Sequence, residues 1–207
     1  MRTLSASLLL SLGFALLGAA PTGAAASFLD VWSKVQSYTV DIKVHETKGN
    51  DSQDRTYHYS YLKPHYARTD ITGGPGQGGG AVWKGGDTVS GHQGGLLSGV
   101  HLNISIHDAR AVDLRGATID QGSFQDIASW IASAPTITVG EETWNGTAYD
   151  TITGPYTDPL GATKRVVYLS KTTHFPVRRV TFAGDAIVED EVYTNLNPQA
   201  ALMEGDF

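Results

Sequence analysis

Histidines are the side chains of this chain that first suggest chemistry, because imidazole binds metals and transfers protons near neutral pH. The chain of 207 residues contains seven of them. His58 and His65 fall on neighbouring predicted strands, whereas His101 and His107 lie close together in sequence, the second next to Asp108. None of these histidines has the H-E-x-x-H or Cys/His spacing that fixes the geometry of a metal site. We therefore expect solvated or edge histidines and no bound metal.

The acidic residues include two groups, Glu141-Glu142 and Glu189-Asp190-Glu191, that could be read as catalytic carboxylates. A glycosidase needs two such groups on either side of the scissile bond. Adjacent residues of a strand point to opposite faces of a sheet, however, and acids in this arrangement more often keep a sheet edge soluble. The pattern therefore favours solubility over catalysis.

A glycine-rich segment, Gly74-Pro-Gly-Gln-Gly-Gly79, formally satisfies the nucleotide-binding pattern G-x-G-x-x-G. It lies between predicted antiparallel strands, and no helix begins after it to receive a phosphate at its N-terminus. The sequence also contains no G-x-S-x-G elbow and no G-x-x-x-x-G-K-[ST] loop. We expect a non-enzymatic protein without catalytic residues or a cofactor, with hydrolysis as the remaining enzymatic alternative.

The N-terminus has the three parts of a secretory signal peptide. Arg2 supplies the positive start, Leu4 to Ala20 form a short apolar run broken by serines and a glycine, and Ala24-Ala25-Ala26 precede Ser27. The broken run is unsuited to a transmembrane anchor. We expect residues 1–26 to be removed and residues 27–207 to form a single domain in the periplasm, with secretion as the alternative.

Composition restricts the partners of the mature chain. The segment 1–26 contains one basic residue and no acidic one, so the 15 basic and 21 acidic residues of the full chain become 14 and 21, a formal net charge of −7. An acidic chain without a basic cluster argues against nucleic acid as a partner. The chain has no cysteine, which excludes disulfides and a lipidated thiol at the cleavage site.

Hydrophobic periodicity predicts one short helix followed by antiparallel strands. Residues 28–35 have the spacing of an amphipathic helix. From Tyr38 to His45 the period changes to two, which is typical of a strand buried on one side. After a polar turn over 48–54, further strands are predicted at 57–62, 65–71, 81–84 and 88–90, with weak alternation over 100–106.

The second half of the chain is predicted to begin with a helix and to return to strands. Ser123 is a suitable N-cap for a helix that extends to Pro135, and we expect this helix to lie against one face of the sheet. The remaining predicted strands are 136–142 and 147–153, joined by Asn145-Gly146, and three between Tyr168 and Tyr193, of which the last two are joined by Gly184-Asp185.

Several motifs along the mature chain resemble those of a known superfamily. They are Tyr61-Leu-Lys-Pro64 followed by Arg68, Gly85-Gly86-Asp87, Val139-Gly-Glu141 with Asn145-Gly146 and Tyr149, Tyr168-Leu-Ser170, Phe175-Pro-Val-Arg178, Gly184 and Tyr193. In this order they resemble the LolA/LolB-like superfamily of periplasmic lipoprotein carriers and lipoprotein-sorting proteins, over essentially all of residues 27–207. The central Leu114-Arg-Gly-Ala-Thr-Ile-Asp120, followed by Phe124, is more similar to an uncharacterised branch of exported proteins than to the carrier itself.

The resemblance implies an α+β fold, an incompletely closed antiparallel β-barrel (half-barrel) with a few helices covering its concave face and an apolar cavity between them. In the carriers such a cavity accepts acyl chains. Apolar and aromatic side chains of the predicted strands and of the second helix are then candidates for lining the cavity, with a filled core as the alternative. The candidates are Val40, Ile42, Val44, Tyr57, Tyr59, Tyr61, Trp130, Val167, Leu169, Val180 and Phe182.

Arg68 is the residue to which the resemblance assigns a lid-latch role. In the carriers an arginine on the corresponding strand helps to hold the helical lid by hydrogen bonds, and Arg68 has that place after Lys63-Pro64. Its forked donors suit helix carbonyls or a carboxylate. The sequence departs from the pattern at Ala67, where an aromatic residue is common, and an ordinary surface arginine is the alternative.

The resulting hypothesis is non-enzymatic binding of a hydrophobic or acylated ligand, as a lipid or lipoprotein carrier or chaperone. Its partner is a lipid or the acyl chain of a lipoprotein, and we expect a monomer without a stable membrane anchor. The alternative function on the same fold is an envelope regulator or scaffold that senses lipoproteins or binds a protein partner.

Overall fold

The computed structural model describes residues 21–95 and 99–207. Most of the predicted signal peptide, residues 1–20, lies outside the described residues. Helix α1 (Ala24–Ser33) begins earlier than the amphipathic pattern predicts, and the predicted cleavage bond after Ala26 falls inside it. Ala25 is 1% exposed within the core. Removal of residues 1–26 stays a prediction.

In the part of the chain that the structure describes, eleven antiparallel strands form one sheet. They are β1 (Ser37–Lys48), β2 (Asp51–Leu62), β3 (Tyr66–Gly73), β4 (Gly80–Trp83), β5 (Thr88–His92), β6 (His101–Ser105), β7 (Thr138–Trp144), β8 (Thr147–Pro155), β9 (Lys164–Leu169), β10 (Pro176–Ala183) and β11 (Ala186–Asn197). The second helix, α2 (Phe124–Ser133), lies between β6 and β7 in sequence.

The strand order shows how the sheet is built from two halves. It runs β6-β5-β4-β3-β2-β1-β11-β10-β9-β8-β7, so that consecutive strands are neighbours within each half and β1 pairs with β11 at the centre. Among the described residues, β6 and β7 are the two edges, and the sheet is not closed into a barrel. The α+β half-barrel with helices on one face is therefore confirmed.

Tight turns fix the register of the hairpins where the sequence predicts them. Asn145 and Gly146 both have positive φ angles, 49° and 79°, as a two-residue turn between β7 and β8 requires. Gly184 has a φ angle of 61° in the turn between β10 and β11. The predicted turn over 48–54 is shorter than expected, because β1 pairs directly with β2 from Lys48 and Asp51 onward. The alternation of β2 therefore begins earlier in the chain than the sequence pattern predicts.

Both helices pack on one face of the sheet, which we call the inner face. Ser123 caps α2 as predicted, since its Oγ accepts a hydrogen bond from the Asp126 amide at 3.2 Å. Trp32 of α1 donates its indole N–H to Gln125 of α2 at 3.2 Å, which joins the two helices. Lys63 donates to the Trp32 carbonyl at the end of α1 at 2.7 Å.

The core beneath these helices is aromatic and closely packed. The rings of Tyr38 and Phe124 are stacked with centroids 4.7 Å apart, and the Tyr38 hydroxyl accepts a hydrogen bond from the Phe124 amide at 3.0 Å. Trp32 packs edge-on against Tyr38, with centroids 5.7 Å apart. Tyr61 is buried in the same cluster. Because aromatic rings fill this region, a ligand site on the inner face has to lie outside it.

Candidate binding cavity

A cavity of about 720 Å³ lies on the inner face beside the helix-packed core. Its volume falls in the range of small-molecule sites, roughly 300–1,000 Å³. Strands β1 to β5 form its floor, and the connection 109–119 between β6 and α2 forms the opposite wall. The apolar and aromatic part of the wall comprises Ile42, Tyr57, Tyr59, Ile71, Ala81, Ala111, Val112 and Ile119.

An apolar groove of about 280 Å³ continues from this cavity toward the β6 edge of the sheet. The two spaces share lining residues, among them Ala81, His92 and Ala111. Val100 and Leu102 line the groove and are 52% and 45% exposed. The cavity therefore has an apolar exit that reaches the surface.

A glycine loop closes the cavity on the side of β3. Gly74 has a φ angle of 84°, and a Cβ atom at this position would lie 2.2 Å from the Asp54 carbonyl oxygen. Only glycine combines this backbone conformation with so close a contact. The segment that resembles a nucleotide-binding motif thus has a structural role, because it brings the loop against the start of β2 beside the cavity.

The connection that forms the opposite wall is anchored by ionic groups. Asp113 accepts hydrogen bonds from the amides of Arg115 and Ala117, at 2.9 and 2.7 Å. Arg115 binds the Asp158 carboxylate at 2.6 Å and the Thr47 carbonyl at 2.6 Å, and both partners of this salt bridge are largely buried. These contacts fix the cavity wall to the end of β1 and to the loop before β9.

Two rows of side chains cross the inner face where the aromatic core ends. Strand pairing places Arg55, Val44, Glu191, Arg179 and Val167 side by side on β2, β1, β11, β10 and β9. The next row comprises Gln53, Glu46, Glu189, Thr181 and Arg165 on the same strands. The inner face therefore changes from aromatic to ionic along the strands.

Arg179 is the centre of this ionic region and is 2% exposed. It donates to Glu191 at 2.8 Å and to the Gln121 carbonyl at 2.9 Å. Arg165, 1% exposed, donates to Asp126 in the first turn of α2 at 2.8 Å. A carboxylate in the first turn also suits the helix dipole. The two arginines thus connect the sheet to α2 and to the turn before it.

Three carboxylates come together next to these arginines. Within the described residues, Glu46, Asp113 and Glu189 place one oxygen atom each within 4.8 Å of one another. Burial, together with the charge of Asp113, raises the pKa of Glu46 to about 8. Burial likewise raises the pKa of Asp113. Burial also raises the pKa of Glu191 to about 7, against the opposing effect of Arg179. Glu46 therefore retains its proton at neutral pH, which lowers the negative charge of the cluster.

The predicted cavity residues divide into four groups in the structure, of which three lie on the inner face. Ile42, Tyr57 and Tyr59 line the cavity. Val44 is buried on β1 outside the cavity wall. The residues that belong to the packed aromatic core instead are Val40, Tyr61, Trp130, Val167 and Leu169.

Val180 and Phe182 require a correction, because they lie on the outer face. They pack with Val166 and Tyr168 in a separate cluster. Val180 pairs with Val166, whereas the neighbouring Arg179 pairs with Val167 of the core. Since side chains alternate along a strand, Val180 and Val167 point to opposite faces of the sheet. Val180 and Phe182 therefore cannot line the same cavity as Val167.

Arg68 also requires a correction, because its guanidinium pairs with Asp70 on the same strand rather than with a helix. Its Nε and Nη2 atoms donate to the Asp70 carboxylate at 2.9 and 3.1 Å, and the Arg68 side chain is 45% exposed. The contacts between sheet and helices that the resemblance assigned to this residue are made by Lys63 and Arg165.

The acidic groups and the histidines lie in different environments in the structure. Glu189 and Glu191 are buried on the central strand β11, so the interpretation that they keep a sheet edge soluble is wrong for this group. His58 Nδ1 lies 2.7 Å from an Asp41 carboxylate oxygen on the neighbouring strand. His65 stacks on Tyr66 with ring centroids 4.9 Å apart.

Sequence reasoning missed Arg55 and the connection 109–119 as parts of the cavity. Arg55 follows the same alternation as Tyr57 and Tyr59, and extending that pattern by two residues finds it. The predicted turn over 48–54 placed the start of this strand at residue 57, whereas β2 begins at Asp51. The connection 109–119 has no period, so only the folded structure brings it over the sheet.

Comparisons with known proteins support the fold and not a function. A scan against protein-family models finds no match, and a search of curated proteins also finds none. The crystal structure of a DUF1329 family protein from Desulfovibrio piger is similar over 89% of this chain and 95% of that chain, with 11% identity and a TM-score of 0.50. At this identity the similarity shows a shared fold alone.

Two further solved structures are similar at lower TM-scores. A LolA superfamily protein from Nitrosomonas europaea matches over 90% of this chain and 98% of that chain, with 10% identity and a TM-score of 0.45. MucB matches over 88% of this chain and 61% of that chain, with 16% identity and a TM-score of 0.48. The open sheet with its helices on one face is the fold that the LolA/LolB-like resemblance implies, and the DUF1329 structure shares this fold.

Across residues 21–95 and 99–207, we find no helix with the length and apolar character needed to span a membrane.

Proposed function

We propose that this protein binds a hydrophobic or acylated ligand without catalysis, as a lipid or lipoprotein carrier or chaperone exported to the periplasm. The observation that carries this proposal is the cavity of about 720 Å³ on the inner face. A site of this size with a largely apolar wall gains affinity by removing ligand surface from water, at about 25 cal/mol per Å².

The position of the cavity supports binding and release rather than permanent burial. The helices cover a core that aromatic rings fill, whereas the cavity lies under the connection 109–119 and continues into the apolar groove near β6. A chain-like ligand entering by the groove can lie along Val89 and Ile104 and reach Tyr57 without displacing either helix. In this proposal α1 and α2 are scaffold, and the entrance lies at the sheet edge.

The proposal is tested by native mass spectrometry. The protein is expressed with its own N-terminal segment, so that the cell can export it, and is then extracted gently. A co-purifying lipid or acylated peptide is the expected result, and the intact mass identifies the signal cleavage bond in the same sample. Purified protein is then titrated with N-phenyl-1-naphthylamine, a neutral apolar probe. A ligand-free protein that also fails to bind the probe would contradict the proposal.

A second function, binding of an envelope protein partner, is favoured by one observation. Val100 and Leu102 are exposed apolar side chains at the edge of the sheet, and an edge strand presents free backbone groups to a partner. A pull-down from envelope extract distinguishes this function. Recovery of one protein by ligand-free material, reduced when Leu102 is changed to Asp, would support the partner-binding role. Recovery that depends on bound lipid would support the carrier role.

A further inference from the structure

Arg55 differs from the other arginines of the described chain. Arg68, Arg110, Arg115, Arg165, Arg178 and Arg179 each form a salt bridge with an aspartate or glutamate. Among the described residues, Arg55 has no such partner, although it lines the cavity and is half-buried. The protein thus places one guanidinium without an internal counter-charge in the cavity wall, whereas the other charged residues of that wall, Arg110, Asp113, Arg179 and Glu191, each have an internal partner.

Arg55 also lacks good hydrogen-bond acceptors for its N–H groups, in addition to lacking a carboxylate partner. Its Nε atom is shielded from solvent and has no acceptor among the described residues. Its Nη1 atom is 3.4 Å from the Tyr57 hydroxyl, which is a long and therefore weak hydrogen bond. A guanidinium carries five N–H donors, and a shielded donor without an acceptor costs free energy. A ligand oxygen at this point would accept the hydrogen bonds for which the protein provides no acceptor.

The acids near Arg55 are engaged with other groups. In its own row, Val44 separates Arg55 from Glu191, and Glu191 accepts hydrogen bonds from Arg179 and from the Tyr193 hydroxyl. Glu46 and Asp113 lie in the adjoining carboxylate cluster, where Glu46 accepts a hydrogen bond from Gln53 and Asp113 accepts two from backbone amides. These acids therefore leave the Arg55 guanidinium available to an anion from outside the chain.

We propose that the cavity takes an amphiphile with an anionic head group, a carboxylate or a phosphate, which the Arg55 guanidinium binds while the apolar chain lies toward Ile71 and Ala81. The proposal rests on the proposed function and specifies its ligand class. Arginine suits this role because its planar fork binds both oxygens of a carboxylate or phosphate. The cationic position at the ionic end of the inner face and the apolar groove at the other side match the two ends of such a molecule.

Displacement of N-phenyl-1-naphthylamine by dodecanoic acid and by dodecan-1-ol at neutral pH tests the proposal, because the two competitors share one chain and differ in the head group. The wild-type protein is expected to bind the acid at least about tenfold more tightly than the alcohol, as a hydrogen-bonded charge pair would give. Arg55→Gln should remove this preference, because the acid loses a charge pair that the alcohol does not form. Arg55→Lys should retain part of it.

Arg68→Gln is the matched control, since it makes the same change on the neighbouring strand at an exposed arginine that pairs with Asp70. It should keep the preference of the wild-type protein. Equal affinity for acid and alcohol in the wild-type protein overturns the inference and leaves the proposed function standing. Competition by inorganic phosphate at the concentration at which dodecanoic acid competes also overturns it, because the site would then bind a free anion. Failure of the ligand-free protein to bind the probe at all overturns both.

Discussion

Arg165 of β9 and Asp126 of α2 form a salt bridge of 2.8 Å between residues that are 39 positions apart in the sequence. Arg165 is 1% exposed, so this contact removes a full positive charge from water and depends on the carboxylate for compensation. Arg179 approaches the same carboxylate at 3.4 Å. The first turn of α2 is therefore fixed to the sheet by two buried guanidinium groups.

Asp126→Asn is expected to destabilise the fold through this contact. The substitution leaves Arg165 buried without its counter-ion, which costs roughly 2–4 kcal/mol once the partial exposure of Asp126 is allowed for. Urea unfolding followed by tryptophan fluorescence measures the change. Asp70→Asn is the control, because it breaks the exposed pair with Arg68 and should cost no more than about 1 kcal/mol. Equal losses in the two variants would contradict a special role for the Arg165–Asp126 pair.

The contrast between Arg68 and Arg165 shows what could be predicted from the sequence. Strand alternation, Ser123 as N-cap and the Asn145-Gly146 turn depend on local sequence, and each was found where it was predicted. Which arginine reaches a helix depends on the face and register of strands far apart in the chain. Arg68 has the position to which the resemblance assigned the lid contact, but it points to the exposed face beside Asp70. Arg165 has no local signal and is buried against α2.

Val167→Trp and Ala81→Trp are expected to separate the filled core from the cavity. Val167 is 0% exposed in the core cluster, so a larger side chain there should lower the free energy of unfolding by about 3 kcal/mol. Ala81 lines the cavity, where an indole has space, so the variant should fold normally and bind N-phenyl-1-naphthylamine at least about tenfold more weakly. Thermal unfolding and probe titration measure the two effects.

Ala148→Trp provides the matched control for the cavity variant. Ala148 lies on β8, is exposed and is not part of the cavity wall. The variant should retain both stability and probe affinity. Normal probe binding by Ala81→Trp would show that the probe binds elsewhere, and normal stability of Val167→Trp would show that the core contains unfilled space.

The location of the cavity could not be predicted from the sequence, and the physical reason is related. An apolar stripe on a strand looks the same whether a helix or a ligand covers it. Tyr59 and Tyr61 have the same alternation on β2, yet Tyr59 borders the cavity whereas Tyr61 lies in the core only. The difference is set by where α1 ends and where the connection 109–119 crosses the sheet, and neither is encoded near β2.

Gly74→Ala should weaken both stability and ligand binding, because this glycine brings its loop against the start of β2. A side chain there would combine an unfavourable φ angle of 84° with a Cβ atom 2.2 Å from the Asp54 carbonyl oxygen. Gly86→Ala separates the two costs, since Gly86 has a φ angle of 74° and open space around it. We expect a loss of about 1 kcal/mol for Gly86→Ala and a larger loss for Gly74→Ala.

Probe titration of the same pair tests the link to the cavity. Only Gly74→Ala should reduce affinity for N-phenyl-1-naphthylamine, because the displaced loop lies next to Arg55 and to the cavity wall at Gly76. If the two variants lose stability and affinity equally, the close contact with Asp54 has no influence on the site.

The buried carboxyl of Glu46 is expected to make the protein less stable as the pH rises. In the unfolded chain this group loses its proton near pH 4.5, whereas in the folded chain burial and Asp113 hold its pKa at about 8. Between these values the folded state binds more protons, so the free energy of unfolding falls with increasing pH, by at most about 1.4 kcal/mol per pH unit for one proton. Asp41 and Asp158, whose pKa values are lowered, act below this window.

Glu46→Gln removes this titration, because an amide resembles the protonated carboxyl in shape and stays neutral. Urea unfolding at several pH values between 5 and 8 should therefore give a flatter dependence for the variant than for the wild-type protein. A residual slope of the same sign is expected up to about pH 7 from Glu191, whose pKa burial raises. Glu142→Gln is the control, since Glu142 is exposed on the outer face, where it accepts a hydrogen bond from Tyr168. Parallel curves for the wild-type protein and Glu46→Gln would show that Glu46 is already ionised in the folded chain at pH 5.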